Sequence, residues 1–194
     1  TNGFYQKYGD NSNPLDIADT SSNTYTIGNT GAAMSTAQKK VGDSSIYFNG
    51  SSYFKTPSTG SAFVASGWYA TNPDGYTIEM WVYPETGSSG RLADNSVDSE
   101  NAFYINLNAN NTVSLYWRNY GSGGANQGVY DHTTTGTLDD NTWTHLAIDW
   151  VGVSGSNPDV ANIMRFYIDG VQDSTASGGG THGGKVPWSM FSEP

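Results

Sequence analysis

Residues 76–83 read YTIEMWVY, and Pro84 follows them. In an extended chain successive side chains point to opposite faces, so Tyr76, Ile78, Met80 and Val82 share one side while Thr77, Glu79, Trp81 and Tyr83 share the other. Proline has no N–H to give to a ladder, so the strand ends at Pro84. Further strands are predicted at residues 102–107, 112–118, 143–151 and 163–169, the last closed by the turn Asp169-Gly170. Upstream, SSIYF at 44–48 and SYFK at 52–55 flank Asn49-Gly50, which predicts a tight hairpin. Phe4, Tyr5 and Tyr8 offer an early edge strand ahead of a turn-rich stretch. Loops are expected at 84–100, 119–137 and 152–162, and no window carries an apolar i, i+3, i+4, i+7 pattern, so no long helix is assigned. The expectation is an all-β, two-sheet antiparallel sandwich in a single domain, residues 1–194. Residues 1–40 supply a first strand and a wrapping loop, 44–170 the core strands, and 171–194 a loop and tail.

Composition narrows the partners. The formal charge is -10, from 18 acidic against 8 basic residues, so the chain lacks the cationic surface that dominates affinity for nucleic acid and for anionic membranes. No apolar run is long enough for a membrane-spanning helix, so no membrane insertion is expected. Without cysteine there are no disulfides or thiolate metal sites. Aromatic, Gly, Ser, Thr and Asn residues are abundant, which suits short strands joined by turns.

Five blocks, in order, resemble the laminin-G-like domains of the concanavalin A-like lectin and glucanase superfamily. They are residues 45–50, SIYFNG; 76–84, YTIEMWVYP; 103–107 with 113–117; 138–148 around TWTHLA; and 164–170, MRFYIDG. The resemblance implies a jelly-roll sandwich. It also implies two closing strands after MRFYIDG, which the sequence to Pro194 does not show, so a sandwich lacking its last strands is expected. The opening Asn2-Gly3-Phe4-Tyr5 is similar to laminin-G-like modules of phage structural and tail-fibre proteins.

If Ile78, Met80, Ile105, Leu115, Ile148, Phe166 and Ile168 fill the core, the opposite parity presents Glu79, Trp81, Tyr104, Asn106, Tyr116, Arg118, His145 and Tyr167. Flat rings beside Asn, Glu and Arg suit a glycan, whose C–H face stacks while its hydroxyls take planar partners. The alternative is that these rings are packed against loops or another subunit. Glycosidases of the superfamily place paired carboxylates on one strand, whereas Glu79 is followed by Trp81, and Asp98 and Glu100 fall in a loop-like segment; no enzyme is expected. His145 has no nucleophile-elbow serine to serve, and His132 and His182 stand in loop-like stretches without zinc spacing.

The resemblance further implies calcium at the sandwich rim. Candidate ligands are Asp94, Asp98, Asp131, Asp139 and Asp140, with solvated loop acids as the alternative. Asn49-Gly50-Ser51 and Asn110-Asn111-Thr112 match the glycosylation sequon. The reading that follows is a non-enzymatic module at a virion or cell surface, binding a glycan or receptor in host attachment. A capsid-decoration or fibre module acting through other assembly subunits, or a bacterial extracellular adhesin domain, is the alternative.

Overall fold

The computed structural model describes residues 27–55, 76–94, 102–120, 126–151 and 163–177. Every regular element among them is a strand, and no helix there is long and apolar enough to cross a membrane. The chain divides into two compact units, residues 1–65 and 66–192. The early strand expected around Phe4 to Tyr8 lies outside the described residues.

In the first unit β1 (Gly28–Thr30) pairs with β4 (Tyr53–Lys55), and β2 (Ala33–Ser35) pairs with β3 (Ser45–Tyr47). These are nested pairs of one long arm, which corrects the expected hairpin of β3 with β4 about Asn49-Gly50. Gly50 does adopt a left-handed φ of 86°, but residues 48–52 stand opposite only 31 and 32, so the turn residues make an irregular step within the arm. Asn29 braces the shorter side. Its Nδ2 donates to the Ala32 carbonyl at 2.9 Å and its Oδ1 accepts the Ala32 N–H at 3.0 Å.

The described residues of the second unit form two four-stranded antiparallel sheets. One runs β12 (Val171–Ser177), β11 (Ile163–Ile168), β10 (Thr144–Val151), β5 (Tyr76–Val82); the other runs β6 (Gly90–Asp94), β7 (Ala102–Leu107), β8 (Val113–Tyr120), β9 (Asn126–Thr133). Strand β5 therefore pairs with β10, with the whole second sheet intervening in sequence. Three stretches expected to be loop or tail are strands: β6, β9 and β12. Strand β12 returns from the Asp169-Gly170 turn, where both residues have positive φ, and it supplies part of the closure expected to be missing.

The sheets meet through Ile105, Leu107, Val113 and Leu115 on one side and Leu146, Ile148 and Phe166 on the other, all fully or nearly buried. Leu138, in the loop before β10, joins them, and Ile78, Met80, Val82 and Ile168 pack alongside. Burying each such side chain contributes about 1.5–3 kcal/mol, against about 0.5–1.5 kcal/mol for a typical hydrogen bond. The apolar parity of each strand therefore decides which face turns inward. It turns Glu79 and Trp81 outward.

Four described loops gather at one rim: 83–89, 108–112, 134–143 and 169–170. Asn111 and Asn141 take left-handed φ of 61° and 55° there. Asn141 donates its backbone N–H to Pro84 O at 2.7 Å and its Nδ2 to Thr86 Oγ1 at 2.9 Å, fixing the start of β10 beside the end of β5.

Candidate functional site

Cross-strand register assembles the outer face of the β12-β11-β10-β5 sheet in rows. Trp81 lies opposite His145; Glu79 opposite Ala147, which in turn lies opposite Tyr167; and Thr77 opposite Asp149, itself opposite Arg165. The Trp81 and His145 rings are 5.0 Å apart between centroids, and His145 Nε2 is 3.5 Å from Glu79 Oε2. Trp81 keeps 41% of its surface exposed and the Glu79 side chain 68%. Ala147 is the small residue between Glu79 and Tyr167, so two strand spacings, about 10 Å, separate the taller side chains across a low floor. Asp149 accepts from Thr77 Oγ1 at 3.5 Å and pairs with Arg165 Nη1 at 3.4 Å. Asp169 holds the row's end by a reciprocal contact: His145 N–H donates to Asp169 Oδ1, and Asp169 N–H to the His145 carbonyl, both at 2.8 Å.

The eight expected site residues do not form one face. Glu79, Trp81, His145 and Tyr167 lie on this sheet, whereas Tyr104, Asn106, Tyr116 and Arg118 belong to β7 and β8, whose outer face is turned the opposite way across the shared core. The inward residues expected on β5, β7, β8, β10 and β11 are those in or packed against the core; what parity lacked was the assignment of strands to sheets, a matter of long-range pairing. On the β6-β7-β8-β9 sheet the rings are already stacked on one another. Arg91 Cζ sits 3.3 Å over the Tyr104 ring, and Tyr104 stacks on Tyr116 at 4.9 Å with an 18° interplanar angle. Both faces of Tyr104 are thereby occupied. Asn106 lies opposite Ser114 in the same ladder, and for Arg118 the backbone alone is described.

Two further rings extend this side, Tyr83, which shares the Trp81 parity, and Trp143, which shares that of His145. Tyr83 and Trp143 continue the Trp81 and His145 positions by one more row and meet at 5.4 Å between centroids. Ala147 was passed over because a small residue carries no chemistry of its own; its contribution is the space above it.

The described acids among those expected to ligate calcium stand apart in the ladders and turns. Asp94 pairs with Arg91 at 3.4 Å opposite Tyr104, three residues along the ladder from Leu107. Asp140 accepts from Asn111 Nδ2 at 2.6 Å at the turn beyond Leu107, and the adjacent Asp139 is exposed. Asp131 stands opposite Tyr116, and Asp98 lies outside the described residues. Among the described residues no three His, Asp or Glu side chains gather as a metal site.

His132, expected in a loop, is on β9 and points into the seam between the sheets. Its ring lies 4.6 Å from that of Phe166 and its Nε2 is 3.0 Å from Ser174 Oγ. Burial pulls its pKa below the usual histidine value, against the raising influence of Asp173 and Asp131. His182 lies outside the described residues.

Comparison with known proteins finds a match to the family model described as the concanavalin A-like lectin/glucanases superfamily, of laminin G type, over residues 48–190, well over half of the chain. No curated protein matches the sequence.

Proposed function

The chain belongs to the concanavalin A-like lectin/glucanases superfamily, and from this we propose that the outer face of its β12-β11-β10-β5 sheet binds a glycan without cleaving it. The observation that carries the reading is Trp81: a large ring, 41% exposed, beside the low floor at Ala147 with Glu79 and Tyr167 on either side. A pyranose stacked on that ring puts its hydroxyls within reach of carboxylate and phenol groups. The opposite sheet is a poorer platform, since Arg91 and Tyr116 already cover Tyr104.

Binding rather than hydrolysis is favoured by the surroundings of the carboxylates. A glycosidase acid sits in an apolar pocket that keeps it protonated, whereas the Glu79 side chain is 68% exposed. Asp149, the nearest acid on the same face by register, is engaged by Thr77 and Arg165. We further propose that the module acts at a virion or cell surface, in attachment to a glycan-bearing host. A glycan array probed with the chain and with Trp81→Ala tests the reading: saturable binding by the former and about tenfold weaker binding by the latter are expected. Silence on the array would overturn it.

One observation favours a second reading, a structural module working through subunit contacts. The first unit exposes Val41, Tyr47, Phe48 and Tyr53, each by 44% or more. Co-assembly with another surface subunit, lost on Tyr53→Ser, together with silence on the array, is the result that would select it.

A further inference from the structure

We propose that Asn49 is a site of self-modification: its side-chain amide is lost to the next peptide nitrogen, leaving aspartate and isoaspartate in the arm of the first unit. The chemistry needs a carboxamide carbon within reach of the following backbone nitrogen, and a following residue that does not crowd the approach. Asn-Gly meets both conditions, because glycine carries no Cβ. The chain has two such pairs, Asn2-Gly3 and Asn49-Gly50, and the second lies among the described residues. Asn49, Gly50 and Ser51 are all exposed. Gly50 has a φ of 86°, and a Cβ built on it would meet nothing within 4 Å beyond its chain neighbours, so water reaches the pair freely.

Two donors distinguish Asn49 from an Asn-Gly pair in a free peptide. Ser51 gives its N–H to Asn49 Oδ1 at 3.0 Å and its hydroxyl to the same oxygen at 3.1 Å. Negative charge gathers on that oxygen when Cγ is attacked, so both hydrogen bonds strengthen as the reaction proceeds. In the step, Gly50 N gives its proton to hydroxide and bonds to Cγ; the Cγ–Nδ2 bond then breaks, and Nδ2 takes a proton from water and leaves as ammonia. The five-membered imide takes up one water. Opening at Cγ gives aspartate in an unaltered backbone, whereas opening at the main-chain carbonyl routes the backbone through Cβ and lengthens it by a methylene. That lengthening falls between β3 and β4, where residues 48–52 stand opposite only 31 and 32 and the Asn49 N–H donates to Ser52 Oγ at 2.9 Å. Isoaspartate therefore disturbs the step that carries the exposed Phe48, between Tyr47 and Tyr53.

The test is to incubate the folded chain at pH 8.5 beside a synthetic peptide of residues 41–55. Trypsin cuts after Lys40 and Lys55 and releases the same stretch from the chain, with Asn49 as its one asparagine. Mass spectrometry then follows the conversion of amide to acid, and an isoaspartate assay identifies the lengthened product. The expected result is conversion of Asn49 in the folded chain at least as fast as in the peptide. Ser51→Ala should slow the folded chain about two- to tenfold, the worth of one exposed hydrogen bond. Gly50→Ala, which puts a Cβ beside the attacking nitrogen, should slow it about tenfold or more. An amide that stays intact, conversion slower in the folded chain than in the peptide, or a rate unmoved by Ser51→Ala would overturn the inference.

Discussion

Asp173 on β12 reaches across the seam to Gly136 in the loop after β9, where its Oδ1 accepts the Gly136 N–H at 2.6 Å. Its Oδ2 accepts the Thr135 N–H at 2.9 Å, and the Thr135 hydroxyl donates to Oδ1 at 3.0 Å. One carboxylate thus ties an edge strand of one sheet to the rim of the other. Replacing it with alanine leaves those donors without their partner, and a loss of about 1–3 kcal/mol in urea unfolding is expected. Gly136→Ala should destabilise as well, because a Cβ there would lie 2.7 Å from Asp173 Oδ1 and 3.2 Å from Ile168 Cδ1. Unchanged midpoints in both variants would show that the clamp contributes nothing.

The seam makes stability depend on pH in a predictable direction. Burial holds the His132 pKa below its ordinary 6.5, so the unfolded chain binds that proton more readily than the folded one. The associated stability is present above 6.5 and is lost as pH falls through the folded value. Asp173 acts further down the scale: burial raises its pKa, but hydrogen bonds with Ser174, Thr135 and Gly136 outweigh this and hold it below 3.8. Its stabilising contribution is present above 3.8 and fades as pH falls below it. Urea unfolding at pH 7.5 and 5 should show lower stability at pH 5, and His132→Phe should shrink the difference. Equal or greater stability at pH 5 in the parent chain would contradict the assignment.

Leu138 is 1% exposed although it belongs to a loop, and its backbone N–H donates to Asn111 O at 2.8 Å. Leu138→Ala opens a cavity in the core cluster to which Leu138 belongs. A loss of about 2–5 kcal/mol is expected from thermal or urea unfolding. A loss below about 1 kcal/mol would mean that this loop is not part of the core.

Residues 76–83 were legible because Thr77 and Glu79 alternate with Tyr76, Ile78 and Met80 ahead of an aromatic, β-branched end closed by Pro84, and the parity they imply is the one observed, with Ile78 and Met80 inward and Glu79 and Trp81 outward. Strands β9 and β12, NQGVYDHT and VQDSTAS, were not legible. They are poor in apolar residues and are ordered by pairing with β8 and β11 rather than by a pattern of their own. Half of the expected site was misplaced for a related reason. Tyr104 and Trp81 have equivalent parity in their strands, and only the pairing of β5 with β10, across four intervening strands, shows that they face opposite ways. The hairpin about Asn49-Gly50 failed because a strong local turn signal yielded to the longer nested pairing of β1 with β4 and β2 with β3.

The most direct test of the central claim is to follow the indole N–H signals of the ¹⁵N-labelled chain by NMR while titrating in a glycan retained on the array. The account predicts that the Trp81 signal, assigned by its loss in Trp81→Phe, moves saturably, with backbone shifts following along β5 and β10 through Ala147. Shifts centred instead on Tyr104 and Tyr116, or a Trp81 signal that stays fixed while the glycan binds, would contradict it.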